Sequence, residues 1–105
     1  MTDDIKTRIE QTLGSNRIML FMKGNPTMPQ CGFSAAVVSI LKELGLPYGS
    51  CNILADQELR EGLKEYSRWP TYPQLYVDGQ LVGGCDVVRE LHARGELAPI
   101  LQPKA

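Results

Sequence analysis

The run Ile18-Met19-Leu20-Phe21-Met22 opens the segment that decides the fold, IMLFMKGNPTMPQCGFSAAVVSILKELGLPYGSCNI over residues 18–53. Five apolar residues without alternation are the pattern of a strand covered on both faces, so this run is expected at the centre of a sheet. The Gly24 to Pro29 stretch reads as a loop. Phe33, Ala36, Val37, Ile40, Leu41 and Leu44 then recur at helical spacing and stop at Gly45, with Pro47 two residues on. Tyr48 to Ile53 reads as a second strand. Because a helix separates it from the first, the two are expected to be parallel. The product is a βαβ unit whose turn before the helix carries Cys31.

The flanking residues extend this unit. Upstream, Thr2 or Asp3 can cap a helix with Ile5, Ile9 and Leu13 on one face, and Gly14 is expected to supply a left-handed stop. Downstream, Asp56 can cap a third helix with Leu59, Leu63 and Tyr66 inward, closed by Trp69-Pro70. Leu75 to Val77, Asp78-Gly79 and Gln80 to Val82 form a hairpin signal, since Asp-Gly accepts the positive φ angles of a type I′ turn. Gly83-Gly84 ends it; Val87, Val88 and Leu91 begin a fourth helix that stops at Gly95, and Leu97, Ile100 and Leu101 form a last turn. The order α-βα-βα-ββ-α predicts an α/β domain with a four-stranded mixed sheet flanked by helices.

Size and charge narrow the function. The 105 residues, 43% hydrophobic and 22% charged, suit a single domain over 1–105. Eleven basic and twelve acidic residues give a formal charge of −1, which offers nothing to nucleic acid or an anionic membrane surface. Apolar stretches fall far short of the roughly 20 residues of a membrane span. Met1-Thr2-Asp3-Asp4-Ile5 lacks the character of a secretory signal, so a reducing, cytoplasmic location is expected. Three widely spaced cysteines, Cys31, Cys51 and Cys85, fit neither a disulfide framework nor a paired zinc site.

A cysteine just before a helix sits where unpaired N–H groups and the helix dipole favour an anion, so Cys31 is the candidate nucleophile. Cys51, within a predicted strand, reads as core. Trp69 reads as packed between the third helix and the sheet, and Met19, Met22 and Met28 as core or loop filling. His92 receives no function.

Four spaced motifs carry a resemblance: Lys23-Gly24-Asn25-Pro26, Cys31-Gly32-Phe33-Ser34, Trp69-Pro70-Thr71-Tyr72-Pro73 and Gly83-Gly84-Cys85-Asp86. Together, in this order, they resemble the monothiol glutaredoxins with the Cys-Gly-Phe-Ser signature. That resemblance implies a thioredoxin-like (glutaredoxin) fold with glutathione as ligand. It also implies a labile [2Fe–2S] cluster bridging a homodimer, with Cys31 as the chain's metal ligand. Ligand counting agrees, since the cluster needs four thiolates and one Cys31 supplies one. Implied partners are apo iron–sulfur acceptor proteins and a BolA-type protein in a heterodimer.

The alternative is a glutathione-dependent thiol–disulfide oxidoreductase acting in deglutathionylation. Ser34 replaces the second cysteine that would resolve a mixed disulfide, so turnover is expected to be limited. By resemblance, Cys85 can pair with Cys31 in a disulfide.

Glutathione has a carboxylate at each end, so its pocket needs separated cations or helix N-termini. Lys23 suits one carboxylate and Arg60 the other. Lys64, one turn beyond Arg60, belongs either to that site or to a solvated patch with Glu61 and Glu65. Tyr72-Pro73 resembles the family's cis-proline loop, where the backbone of Tyr72 would pair with the peptide. Gly84, Cys85 and Asp86 open the fourth helix and could hold the γ-glutamyl end; Asp86 is equally a plain N-cap. Phe33 could shield the thiol or lie beside glutathione.

Overall fold

The five side chains of Ile18–Met22 are all buried, and this strand, β1, lies second in a four-stranded sheet. The computed structural model describes residues 1–103; the last two residues of the expected domain lie outside the described residues. Upstream of β1 is helix α1, Asp3–Ser15. Downstream come a two-residue pair of strands, β2 (Gly24–Asn25) and β3 (Met28–Pro29), then helix α2, Gly32–Leu44. Strand β4 (Gly49–Asn52), a 3₁₀ turn (Ile53–Ala55) and helix α3 (Gln57–Ser67) follow. Strands β5 (Gln74–Val77) and β6 (Gln80–Gly83) and helices α4 (Cys85–Ala93) and α5 (Leu97–Leu101) complete the chain.

The sheet order is β4-β1-β5-β6, with β4 parallel to β1 and the other pairs antiparallel. It is the expected mixed sheet. Alternation along β1 divides the interior in two. Ile18, Leu20 and Met22 pack with Val37, Leu41, Val88 and Leu97, which puts α2, α4 and α5 on one face. Met19 and Phe21 pack with Ile9, Leu13, Leu59 and Leu63, which puts α1 and α3 on the other. Burial on both faces is why β1 needs no polar positions.

The punctuation acts largely as read. Gly45 closes α2 at φ 69°, and Asp78 and Gly79 take φ 50° and 79° in the β5–β6 turn. Thr2, rather than Asp3, caps α1 by accepting from the Ile5 amide, and Asp56 caps α3 by accepting from the Leu59 amide.

Several boundaries differ from expectation. Gly14 is not a left-handed stop: α1 continues to Ser15, whose hydroxyl donates to the Thr12 carbonyl, and Asn16 leaves the helix in extended conformation. The 24–29 loop contains the β2–β3 hairpin, because Asn25 Oδ1 accepts from Thr27 N, Thr27 Oγ1 and Met28 N. Gly24 is required there: at φ 90° its Cβ would lie 2.5 Å from the Met28 carbonyl. Ile53 belongs to the 3₁₀ turn rather than to β4, since Asn52 Oδ1 accepts from Leu54 N and starts that turn. Helix α3 stops before Trp69-Pro70, through Arg68 at φ 54°. Asp86 is not the N-cap of α4; Gly84 occupies that place and Asp86 sits within the first turn.

No helix among the described residues is long and apolar enough to cross a membrane.

Asp56 joins the two helices of one layer, capping α3 and accepting from Arg8 of α1. The Arg8 bond, reinforced by the Leu59 amide, holds its carboxyl below the usual carboxylate range. Asp56→Ala is expected to cost about 1 kcal/mol, seen as a fall of ~4–8 °C in Tm. The folded pKa is depressed, so this stabilisation is present above the ordinary carboxylate pKa and is lost as pH falls through the lowered value. Thermal melts of both proteins should converge in that acidic window.

Candidate functional site

Where β1 hands the chain to the β2–β3 hairpin and α2, a cavity of about 460 Å³ opens at the surface. Lys23 enters it from the end of β1, and Cys31 and Phe33 from the start of α2. Helix α3 contributes Arg60, the segment before β5 contributes Tyr72, and the first turn of α4 contributes Cys85 and Asp86 after its cap, Gly84. Every residue singled out in the sequence for this site therefore lines one cavity except Pro73, which is buried behind it with its carbonyl beside Gly84.

Cys31 is the N-cap of α2, with extended backbone and a partly exposed thiol. The Ser34 amide is the main influence holding its pKa below the ordinary thiol value; partial burial opposes it, and the Phe33 amide and the Lys23 charge add to the lowering. These are the orphan donors of a helix N-terminus pointed at sulfur. The other two cysteines behave oppositely. Burial pushes both Cys51 and Cys85 up, and Cys85 is only 7% exposed although it lines the same cavity. Cys51 packs against the α1–α3 core, as the sequence suggested.

Ser34 is more than a missing cysteine. It is fully buried, and its Oγ accepts from the Lys23 amide at 3.1 Å. The Lys23 carbonyl in turn accepts from Gln30 N at 2.8 Å, and the Gly24 amide donates to Asn52 Oδ1 at 2.9 Å. The backbone of Lys23-Gly24 is thereby tied to α2, to the hairpin and to β4.

Electrostatically the cavity is short of anions. Among the described residues neither Lys23 nor Arg60 has a carboxylate partner within ion-pair distance, whereas Lys64 pairs with Glu61 at 3.5 Å. Lys64 thus combines its two readings, lining the cavity while paired at its rim. Tyr72 is 6% exposed; its ring belongs to the α1–α3 core and its hydroxyl donates to the Arg60 carbonyl at 2.6 Å. The Tyr72–Pro73 peptide is cis, and among the described residues the Tyr72 amide and carbonyl have no hydrogen-bond partner.

Trp69, Pro70 and Thr71 also line the cavity, although the sequence reading left them outside the site. Trp69 joins neither core cluster; its indole lies against Gly84, whose Cβ would meet Nε1 at 3.1 Å. Their contiguity with Tyr72-Pro73 was the available signal. His92 meets Glu43 of α2 on the outer surface at 3.2 Å, away from these groups.

A family model for glutaredoxin matches residues 18–82, more than half of the chain and from the first residue of β1 to Val82. The chain belongs to the glutaredoxin family. A curated monothiol glutaredoxin of Synechocystis, itself uncharacterized, is 52% identical over 102 residues, spanning 97% of this chain and 95% of its own. The solution structure of a reduced apo glutaredoxin from poplar superposes with a TM-score of 0.80 at 52% identity, covering 91% of this chain and 88% of its own. A buckwheat glutaredoxin–glutathione complex superposes with a TM-score of 0.81 at 26% identity, covering 96% and 94%. The fold is that of the glutaredoxins and the chain is of their monothiol type, with Cys31 followed by Ser34 at the site.

The three thiols of this glutaredoxin should separate by pH. Cys31 is a thiolate above its lowered pKa, so iodoacetamide at neutral pH is expected to label Cys31 first, with Cys51 and Cys85 reacting only as pH rises beyond the ordinary thiol range. Peptide mapping of partially alkylated protein checks the order. Ser34→Ala leaves the Lys23 amide without its acceptor and is expected to move the Cys31 titration, followed by thiolate absorbance, upward.

Proposed function

We propose that this monothiol glutaredoxin binds glutathione in the cavity and, with it, carries a labile [2Fe–2S] cluster between proteins. The observation that carries the reading is a lone activated thiol flanked by two cations without carboxylate partners and by the unpaired backbone edge of Tyr72. An extended tripeptide with a carboxylate at each end matches that set. Its peptide backbone pairs with Tyr72, its glycine carboxylate lies toward Arg60 or Lys23, and its γ-glutamyl end meets the first turn of α4 beside Asp86. Its sulfur then lies beside Cys31. The buckwheat complex supports the ligand by kinship.

The cluster is cargo and its chemistry sets the stoichiometry. Four thiolates are needed, and this chain offers one partly exposed thiol at the cavity, Cys85 being buried there. Two protomers and two glutathione thiolates complete the set. Ligands borrowed from a small soluble peptide exchange readily, which favours passing the cluster to apo acceptor proteins over storing it. A BolA-type protein in place of one protomer is part of the same proposal, as is a reducing, cytoplasmic setting.

The depressed Cys31 pKa also favours a second reading, deglutathionylation. The Cys31 thiolate attacks the glutathionyl sulfur of a mixed disulfide, and the substrate leaves as its thiolate. A second glutathione thiolate then attacks the Cys31–glutathione disulfide, releasing oxidised glutathione and restoring Cys31. Ser34 offers no thiol for this second step, so it depends on external glutathione.

Anaerobic reconstitution with iron, sulfide and glutathione is expected to give visible charge-transfer absorption and a dimer by size-exclusion chromatography. Both should vanish when glutathione is omitted or in Cys31→Ser, and persist in Cys85→Ser. A colourless monomer with robust turnover of a glutathione mixed disulfide would leave the oxidoreductase reading in its place.

A further inference from the structure

We propose that the Tyr72 hydroxyl is a positioning group that fixes Arg60 for anion binding, coupling the two walls of the glutathione cavity through one hydrogen bond. The inference rests on the glutathione reading above. Tyr72 lies on the wall whose unpaired backbone edge faces the ligand, and Arg60 on the helix that supplies the cation. They are twelve residues apart, and the hydroxyl of one donates to the backbone carbonyl of the other at 2.6 Å. The tyrosine is 6% exposed and its ring is packed in the α1–α3 core, so the donor cannot swing away.

Arg60 depends on such a tether. Its Nε is buried without a partner, and no carboxylate among the described residues pairs with its guanidinium. The side chain is therefore aimed by packing and by where the α3 backbone lies, and Tyr72 holds that backbone at Arg60 itself. The bond is additional to the helix ladder, in which the Arg60 carbonyl already receives the amide four residues on. Removing the hydroxyl thus orphans no carbonyl and leaves the ring in place. What it removes is the coupling between the walls.

The test is a double-mutant cycle of Tyr72→Phe and Arg60→Ala. Affinity for S-methylglutathione, which cannot form a disulfide or bind metal through a thiolate, is measured by NMR titration of the apo protein. In the wild-type background Tyr72→Phe is expected to weaken binding by about three- to tenfold, the range a single net hydrogen bond spans. In the Arg60→Ala background the same change is expected to have no effect. An unchanged affinity, or an equal loss in both backgrounds, overturns the proposal, because a structural role of the hydroxyl would act regardless of the residue at 60. The amide spectra report folding of each variant, and 4-fluorophenylalanine at position 72 gives a second hydroxyl-free ring if phenylalanine disturbs packing. If the wild type fails to bind S-methylglutathione, the glutathione reading falls and this inference with it. If the wild type binds, Arg60→Ala weakens binding and Tyr72→Phe does not, only the inference falls.

Discussion

The hydrogen bond from the Lys23 amide to Ser34 Oγ fastens the end of the central strand to the first turn of the helix that presents Cys31. Both partners are placed by packing. Strand β1 is buried along its whole length, so its end cannot shift without disturbing both cores. Ser34 is fully buried on the inner side of α2, so the first turn of that helix is equally fixed. The amides of Phe33 and Ser34 are then held toward the sulfur, and the Lys23 charge is held at the same mouth. A thiolate needs oriented donors already in place, since reorienting them on ionisation would offset the gain. Here the cost of ordering is met by the fold.

The cavity lies at one end of the sheet, where elements from both of its faces meet. β1 delivers a cation, α2 a thiol, α3 a second cation, and the 69–73 segment with the start of α4 a strip of backbone donors and acceptors. Because Arg60 and Lys23 come from different elements, their separation is set by packing of the two cores and not by any local repeat. Such a site discriminates by length. A single anion occupies one end of such a cavity, whereas an extended ligand with two carboxylates reaches both a cation and the N–H groups at the start of α4. Tyr72, whose amide and carbonyl are unpaired among the described residues, lines the same cavity.

How much was legible follows from where each signal resides. The run 18–22 declares a central strand because burial on both faces demands unbroken apolarity, and Gly45 and Asp78-Gly79 declare a helix end and a turn because few residues tolerate their φ angles. The four motifs located nearly all the cavity residues, since each marks a place where the chain must present backbone or sulfur to a ligand. Failures occurred where a side chain, not a pattern, made the decision. Asn25 builds the β2–β3 hairpin by accepting three donors, and Ser15 lets α1 run past Gly14. Trp69 looked like core by size and hydrophobicity, yet it belongs to the cavity wall because Gly84 leaves room for an indole. The contact that fixes its place is between residues fifteen apart, and no local spacing encodes it.

Ser34 shows why the monothiol character is a property of the structure as well as of the chemistry. A thiol is a poor hydrogen-bond acceptor beside a hydroxyl, so a cysteine at this buried position would leave the Lys23 amide weakly satisfied. It would also place a competing sulfur three residues from Cys31, available for an internal disulfide. The serine avoids both at once. Of the two remaining cysteines, Cys51 lies against the α1–α3 core and Cys85 is buried at the cavity wall, each with its thiol pushed toward the protonated form. The three thiols of one chain are thus sorted by environment, one with its pKa lowered and two with theirs raised. A reactive thiol with no resolving partner on its own helix is left with Cys85 across the cavity, a soluble thiol or a second chain, and the open cavity with its Lys23 and Arg60 cations suits a soluble thiol that carries carboxylates.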